Sequence, residues 1–186
     1  MTAEAVLQNA DTRMRKAVEV LKHELGTIRT GRAHPGLVEH LMVDYYESSV
    51  PLNQIAGIST PEARLLVIQP WDKQALPSIE KAILKSDLGL NPLSDGNIIR
   101  LPVPQLTEER RNQLVKMVRK RVEDGKVAVR NVRRDELDGL RKLKDDKEIS
   151  EDEQKRAMAR LQQITDKFID DMDRVAKGKE TELMEI

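Results

Sequence analysis

Cysteine is absent from all 186 residues, which excludes a disulfide framework and any thiolate metal site. Aromatic side chains are nearly absent: Tyr45, Tyr46, Trp71 and Phe168 are the full set, so the core must be aliphatic. Trp71 is expected to serve packing or a domain contact rather than base stacking. The nine glycines are scattered, and none falls in a G-x-G-x-x-G or G-x-x-x-x-G-K spacing, so no phosphate-cradling loop is expected. No apolar run is long enough for a bilayer, and no basic-then-apolar leader opens the chain. These absences lead us to expect a soluble, cytoplasmic protein. His23, His34 and His40 share no metal-ligand spacing. Asp145-Asp146 and Asp170-Asp171 are helical neighbours whose side chains point about 100° apart, not toward one substrate. With no nucleophile–base pair and no metal cluster, neither an enzyme nor a cofactor is expected.

Net charge is zero, from 32 basic and 32 acidic side chains, but the average hides an asymmetry. Residues 110–134 carry ten Lys or Arg against Glu123 and Asp124 alone, whereas residues 135–186 carry 11 basic and 16 acidic side chains. A neutral chain with one concentrated basic stretch points to an anionic partner. The competing reading is a solvated helix face laced with ion pairs.

That stretch lies within the longest predicted element, a helix from Thr107 to about Asp146. Thr107-Glu108-Glu109 supplies a hydroxyl cap and two carboxylates where the helix dipole favours them. No proline follows Pro104, and Val115, Val118, Val122, Val129 and Val132 mark an apolar seam. Such a helix would be roughly 60 Å long. Beside the seam, Arg119, Lys126, Arg130, Arg133, Arg134 and Arg141 fall within about a third of the circumference. Gly139 stands where the seam loses register between Val132 and Leu137, and local bending is expected there.

Residues 2–29 read as a first helix, with Ala10, Met14, Ala17, Leu21, Leu25 and Ile28 as its stripe, Gly31 as a C-terminal cap and Pro35 as a stop. From Leu37 to Leu101 the texture changes. Alternation over Leu37–Asp44 and short apolar runs at Ile55–Ile58, Leu65–Ile68 and Ile98–Leu101 predict strands, with one helix over Pro77–Lys85. Ser150-Glu151-Asp152-Glu153 forms a capping box opening a final helix, with Met158, Leu161, Ile164, Thr165, Phe168, Met172 and Val175 on one face.

Three amphipathic helices must bury their seams against one another. The chain is therefore expected to be α+β: a three-helix antiparallel bundle (1–30 and 106–186) with an inserted small β/α/β sandwich domain (31–105). Two linkers, Arg29–His34 and Pro102–Gln105, hold the insert, and Thr30, Gly31, Pro104 and Gln105 are the candidate hinge.

The candidate binding chemistry is arginine. Arg130, Arg133 and Arg134 lie within about one turn, and guanidinium forks match phosphate oxygens in pairs. Arg133 is expected to face outward, and Arg29 and Arg32 add charge at the first linker. Structured RNA read by shape and backbone suits such a surface. A helical adaptor whose arginines pair with acidic proteins is the alternative.

Five motifs then carry a resemblance. They are Ile28-Arg29-Thr30-Gly31-Arg32-Ala33, Leu106-Thr107-Glu108-Glu109-Arg110-Arg111, Val127-Ala128-Val129-Arg130-Asn131-Val132-Arg133-Arg134-Asp135, Lys147-Glu148-Ile149-Ser150-Glu151-Asp152 and Ser86-Asp87-Leu88-Gly89-Leu90-Asn91-Pro92. Taken in chain order, with the closing Glu182-Leu183-Met184, they make the chain resemble the bacterial ribosome-recycling factors over essentially its whole length. The resemblance implies an L-shaped, hinged molecule with an outline like that of tRNA. It implies a factor that works with elongation factor G and GTP to separate the subunits of post-termination ribosomes. The GTPase would be that partner, and the chain a cofactor-free monomer. The bundle would bind large-subunit rRNA near the subunit interface. By motif position, the RNA-contacting residues would be Arg29, Arg32, Arg110, Arg130 and Arg133, with Arg134 sharing the motif.

Overall fold

The computed structural model describes residues 1–185, which divide into two compact units. One unit comprises Met1–Leu25 and Gln113–Thr181; the other comprises Gly26–Asn112 and the residues from Glu182 onward.

The first unit is a helical bundle built from all but the end residues of α1 (Ala3–Gly26), α3 (Glu108–Asp145) and α4 (Glu151–Met184). Cross-helix contacts fix the directions. Arg13 and Arg121 reach Glu136 and Glu24 respectively, so α3 runs antiparallel to α1. Arg119 meets Glu180 and Arg133 meets Gln162, so α3 runs antiparallel to α4 as well. Both caps form as the sequence predicts. Thr107 Oγ1 accepts from the Arg110 amide at 3.2 Å. In the capping box, Ser150 Oγ accepts from the Glu153 amide at 3.1 Å while the Glu153 carboxylate accepts from the Ser150 amide at 2.7 Å. Those bonds hold the Glu153 carboxyl below the ordinary carboxylate range. A depressed folded-state pKa stabilises the fold above the unfolded value, and that contribution is lost as pH falls through the folded one. Glu153→Gln is therefore expected to flatten the acid limb of a Tm-versus-pH curve by lowering Tm near neutrality, with little change at acid pH.

The seams agree with the sequence in period and differ in detail. In α1, Ala10, Met14, Leu21 and Leu25 are buried along with Val6, Leu7 and Val18, while Ala17 is half-buried. The helix ends at Gly26 rather than reaching residue 29, so Gly31 is not its cap. In α3 the deepest positions are Leu114, Val118, Val122, Val129, Val132, Glu136, Leu140 and Leu143; Leu114 rather than Val115 opens the row. Gly125 lies between Val122 and Val129, where a Cβ would stand 3.3 Å from the Met172 sulfur, so the helices approach closely there. The seam does not lose register after Val132. Glu136 occupies its next position, 7% exposed, with its carboxylate accepting from Asn9 and from Arg13 Nη1 at 3.0 Å. The helix continues unbroken through Gly139.

A carboxylate in an apolar seam gives an asymmetric prediction. Arg13→Met leaves Glu136 buried and short of a donor, and is expected to cost about 1–2 kcal/mol. Glu136→Leu refills the seam while Arg13 retains Asp135 at 2.9 Å, and is expected to be neutral or stabilising. Urea unfolding of both variants checks the pair. Equal destabilisation would show that the charge itself holds the helices in register.

In the second unit, β1 (Met42–Tyr45) and β2 (Ser48–Pro51) form a hairpin. Strands β3 (Ala56–Glu62), β4 (Leu65–Pro70), β5 (Leu93–Ser94) and β6 (Ile99–Pro102) form an antiparallel sheet in the order β3-β4-β6-β5. Pro61 is tolerated because β3 is an edge strand with a register shift between Ser59 and Glu62. Helix α2 (Leu76–Lys85) places Ile79 and Ile83 in a core with Val43 from the hairpin and Leu66, Ile68, Ile99 and Leu101 from the sheet. The alternation over Leu37–Asp44 becomes a strand only from Met42; Pro35–Leu37 is a 3₁₀ turn capped by His34 Nδ1, which accepts from the Gly36 amide. Trp71 does not pack into this core: it is 70% exposed. Among the described residues, no helix is long and apolar enough to cross a membrane.

Candidate nucleic-acid interface

The predicted arginines fall into two groups, one in each unit. In the sheet-containing unit, Arg29 is half-buried and its Nη2 donates to the Pro104 carbonyl at 2.8 Å, joining the first linker to the second. Its Nε is buried without a partner. Burial, and then the nearby Arg110 guanidinium, push Arg29 below its usual pKa. Two adjacent guanidiniums make a strongly positive locus that an anion relieves. Arg110 is exposed in the first turn of α3. Arg32 is also exposed, and its 3.5 Å contact with Glu185 joins two largely solvated side chains, a pair of little energetic weight.

The candidate hinge residues belong to this unit. Thr30 is buried, its Oγ1 3.3 Å from both the amide and the carbonyl of Arg32. Gly31 has open space around it. Pro104 provides the carbonyl held by Arg29, and Gln105 is exposed just ahead of the buried Leu106.

In the bundle, the basic face of α3 narrows. Arg119 Nε donates to Glu180 at 2.9 Å, and Lys126 pairs with Asp173, both across to α4. Arg141 pairs with Asp138 one turn back. For these three the ion-pair reading holds. The remaining cations are Arg130, Arg133 and Arg134. Arg130 contacts Glu123 at 3.1 Å, with both side chains about half exposed. Arg134 is exposed and, among the described residues, makes no hydrogen bond or ion pair.

Arg133 corrects the expectation of an outward-facing side chain. It is half-buried, its Nε enclosed without a partner, and its Nη1 donates to Gln162 Oε1 at 2.9 Å. Its stem therefore lies along the α3–α4 contact while the tip of the guanidinium reaches the surface. Sequence reasoning missed Gln162, because an exposed glutamine 29 residues away carries no local signal. Among the described residues, no group of three or more His, Asp or Glu could hold a metal ion.

Comparison with known proteins adds the rest. The family model for ribosome recycling factor matches residues 21–184. The ribosome-recycling factor of Natranaerobius thermophilus is 57% identical over 180 residues, covering 97% of this chain and 98% of that protein. That of Carboxydothermus hydrogenoformans is 55% identical over 181 residues, with the same coverage of both chains. A ribosome recycling factor solved in solution superposes with a TM-score of 0.80 at 47% identity, covering 99% of this chain and 98% of that one. A second, with a TM-score of 0.71, 50% identity and complete coverage of both chains, is a model of the T. thermophilus ribosome recycling factor, described with E. coli elongation factor G bound to the E. coli post-termination complex. With a family model spanning most of the chain and relatives more than half identical along nearly all of it, this chain belongs to the ribosome recycling factor family.

Proposed function

We propose that this chain, together with elongation factor G and GTP, splits post-termination ribosomes into subunits and so frees them from mRNA for reuse. It acts in the cytoplasm, as a monomer and without catalysing a reaction of its own; GTP hydrolysis belongs to the elongation factor. The helical bundle binds large-subunit rRNA near the subunit interface through Arg130, Arg133 and Arg134, with Arg29, Arg32 and Arg110 as further phosphate contacts. Thr30, Gly31, Pro104 and Gln105 form the joint between the bundle and the inserted domain. The observation that carries this reading is the edge of α3 where Arg133 is held by a neutral amide and Arg134 has no partner among the described residues. Positive charge left without a carboxylate on a packed helix suits a phosphate backbone. The relative described on a post-termination complex with elongation factor G supports the assignment of partners.

Binding to isolated large subunits across a salt series tests the RNA contact. Affinity is expected to fall linearly on a log–log plot, and added rRNA fragments are expected to compete. Salt-insensitive binding that rRNA does not displace would instead favour a protein-only adaptor.

A further inference from the structure

Resting on that reading of Arg133, we infer that Gln162 and Asp166 of α4 are positioning residues that hold the arginine for a phosphate without neutralising it. The Gln162 amide lies between two groups that fix its orientation. Its Oε1 accepts from Arg133 Nη1 at 2.9 Å, and its Nε2 donates to Asp166 Oδ1 at 2.8 Å. Turning the amide over would set its NH₂ against the guanidinium and its oxygen against the carboxylate, so only one orientation satisfies both partners. Asp166 is four residues along the same helix and meets the amide rather than the arginine.

The contrast lies along the same α3–α4 contact. Arg119 and Lys126 are met there by the carboxylates of Glu180 and Asp173, which cancel their charge. At Arg133 the neutral amide stands in the carboxylate's place. The guanidinium keeps its full charge while losing rotamer freedom, which lowers the entropy cost of meeting a ligand. With Nε enclosed and one Nη1 hydrogen committed, the unengaged donors are at the tip of the fork, and Nη2 makes no hydrogen bond among the described residues. That tip can take a phosphate oxygen pair end-on.

The substitution that separates holding from neutralising is Gln162→Glu. It keeps the size and the hydrogen bond from Arg133, gives up the one donated to Asp166, and adds a carboxylate against Arg133. A purely structural role predicts a variant as stable as the parent, or more so, and undiminished in binding. The positioning role predicts retained Tm, affinity for large ribosomal subunits reduced roughly fivefold or more, and a salt slope lowered by about one, as when a phosphate contact is removed. Gln162→Leu should weaken binding less, with an unchanged slope, because the charge survives and only its placement is lost. The full-length variants are assayed beside Arg133→Ala, by binding to large subunits at several salt concentrations and by thermal unfolding. Weakened binding by both Arg133→Ala and Gln162→Glu, with Tm kept, supports the inference. Weakened binding by Arg133→Ala with parental affinity for Gln162→Glu overturns it and leaves the RNA contact standing. Parental affinity for Arg133→Ala removes the RNA contact itself, and the role of Gln162 with it.

Discussion

Arg133→Ala is expected to weaken binding to the large ribosomal subunit by about 1–3 kcal/mol, or roughly 5- to 150-fold, while costing less than about 1 kcal/mol of stability. The binding figure is the range for a hydrogen bond to a charged group. A small stability cost is expected because the half-buried stem covers apolar surface along the α3–α4 contact. Part of that cost is offset, since the variant no longer encloses an Nε without a partner. Filter binding and thermal unfolding of the same preparation separate the two quantities. A loss of stability as large as the loss of binding would make Arg133 a structural residue of the bundle.

The second large effect concerns the linkers. A short covalent cross-link between cysteines placed at Thr30 and Gln105 is expected to leave ribosome binding within about twofold and to abolish subunit splitting. The segments already meet, because Arg29 Nη2 donates to the Pro104 carbonyl at 2.8 Å, and the absence of native cysteine makes the chemistry specific. If the proposed joint works by changing its backbone dihedrals, locking it separates occupancy of the site from the mechanical step. The reduced, unlinked pair serves as the control. Splitting at the normal rate by the cross-linked protein would remove any need for a flexible joint.

These expectations draw on features of unequal legibility. The long helices were readable because their signals are local: Thr107 and the Ser150–Glu153 box cap them, and the 3-4 spacing of apolar residues repeats for many turns. Glu136 was not readable as a seam residue. A carboxylate scores as surface, and only the folded neighbours Asn9 and Arg13, more than 120 residues away, make its burial tolerable. Strand β2 was hidden for another reason. Its hairpin turns through Tyr46 and Glu47, both at positive φ (45° and 62°), where Asn-Gly or Asp-Gly would have announced the turn. The Tyr45 and Tyr46 hydroxyls donating to Asp72 at 3.1 Å help hold that conformation, and those contacts lie about 27 residues away.

The arginine face shows the same limit. Its residues were identifiable from helical spacing, but their division into paired and available cations depends on α4, whose carboxylates Glu180 and Asp173 take Arg119 and Lys126. Arg133 stands apart from that network because α4 offers it Gln162, not an acid; Arg130 meets Glu123 of its own helix, and Arg134 makes no hydrogen bond or ion pair among the described residues. Local spacing found the candidates, and cross-helix contacts narrowed them.

Light scattering of post-termination ribosomes mixed with this protein, elongation factor G and GTP tests the proposed role most directly. A fall in scattering that requires all three additions is the result expected of a factor that splits ribosomes. No fall, with the protein still pelleting with ribosomes and elongation factor G active on a known partner, would contradict it and leave a ribosome-bound protein with a different task.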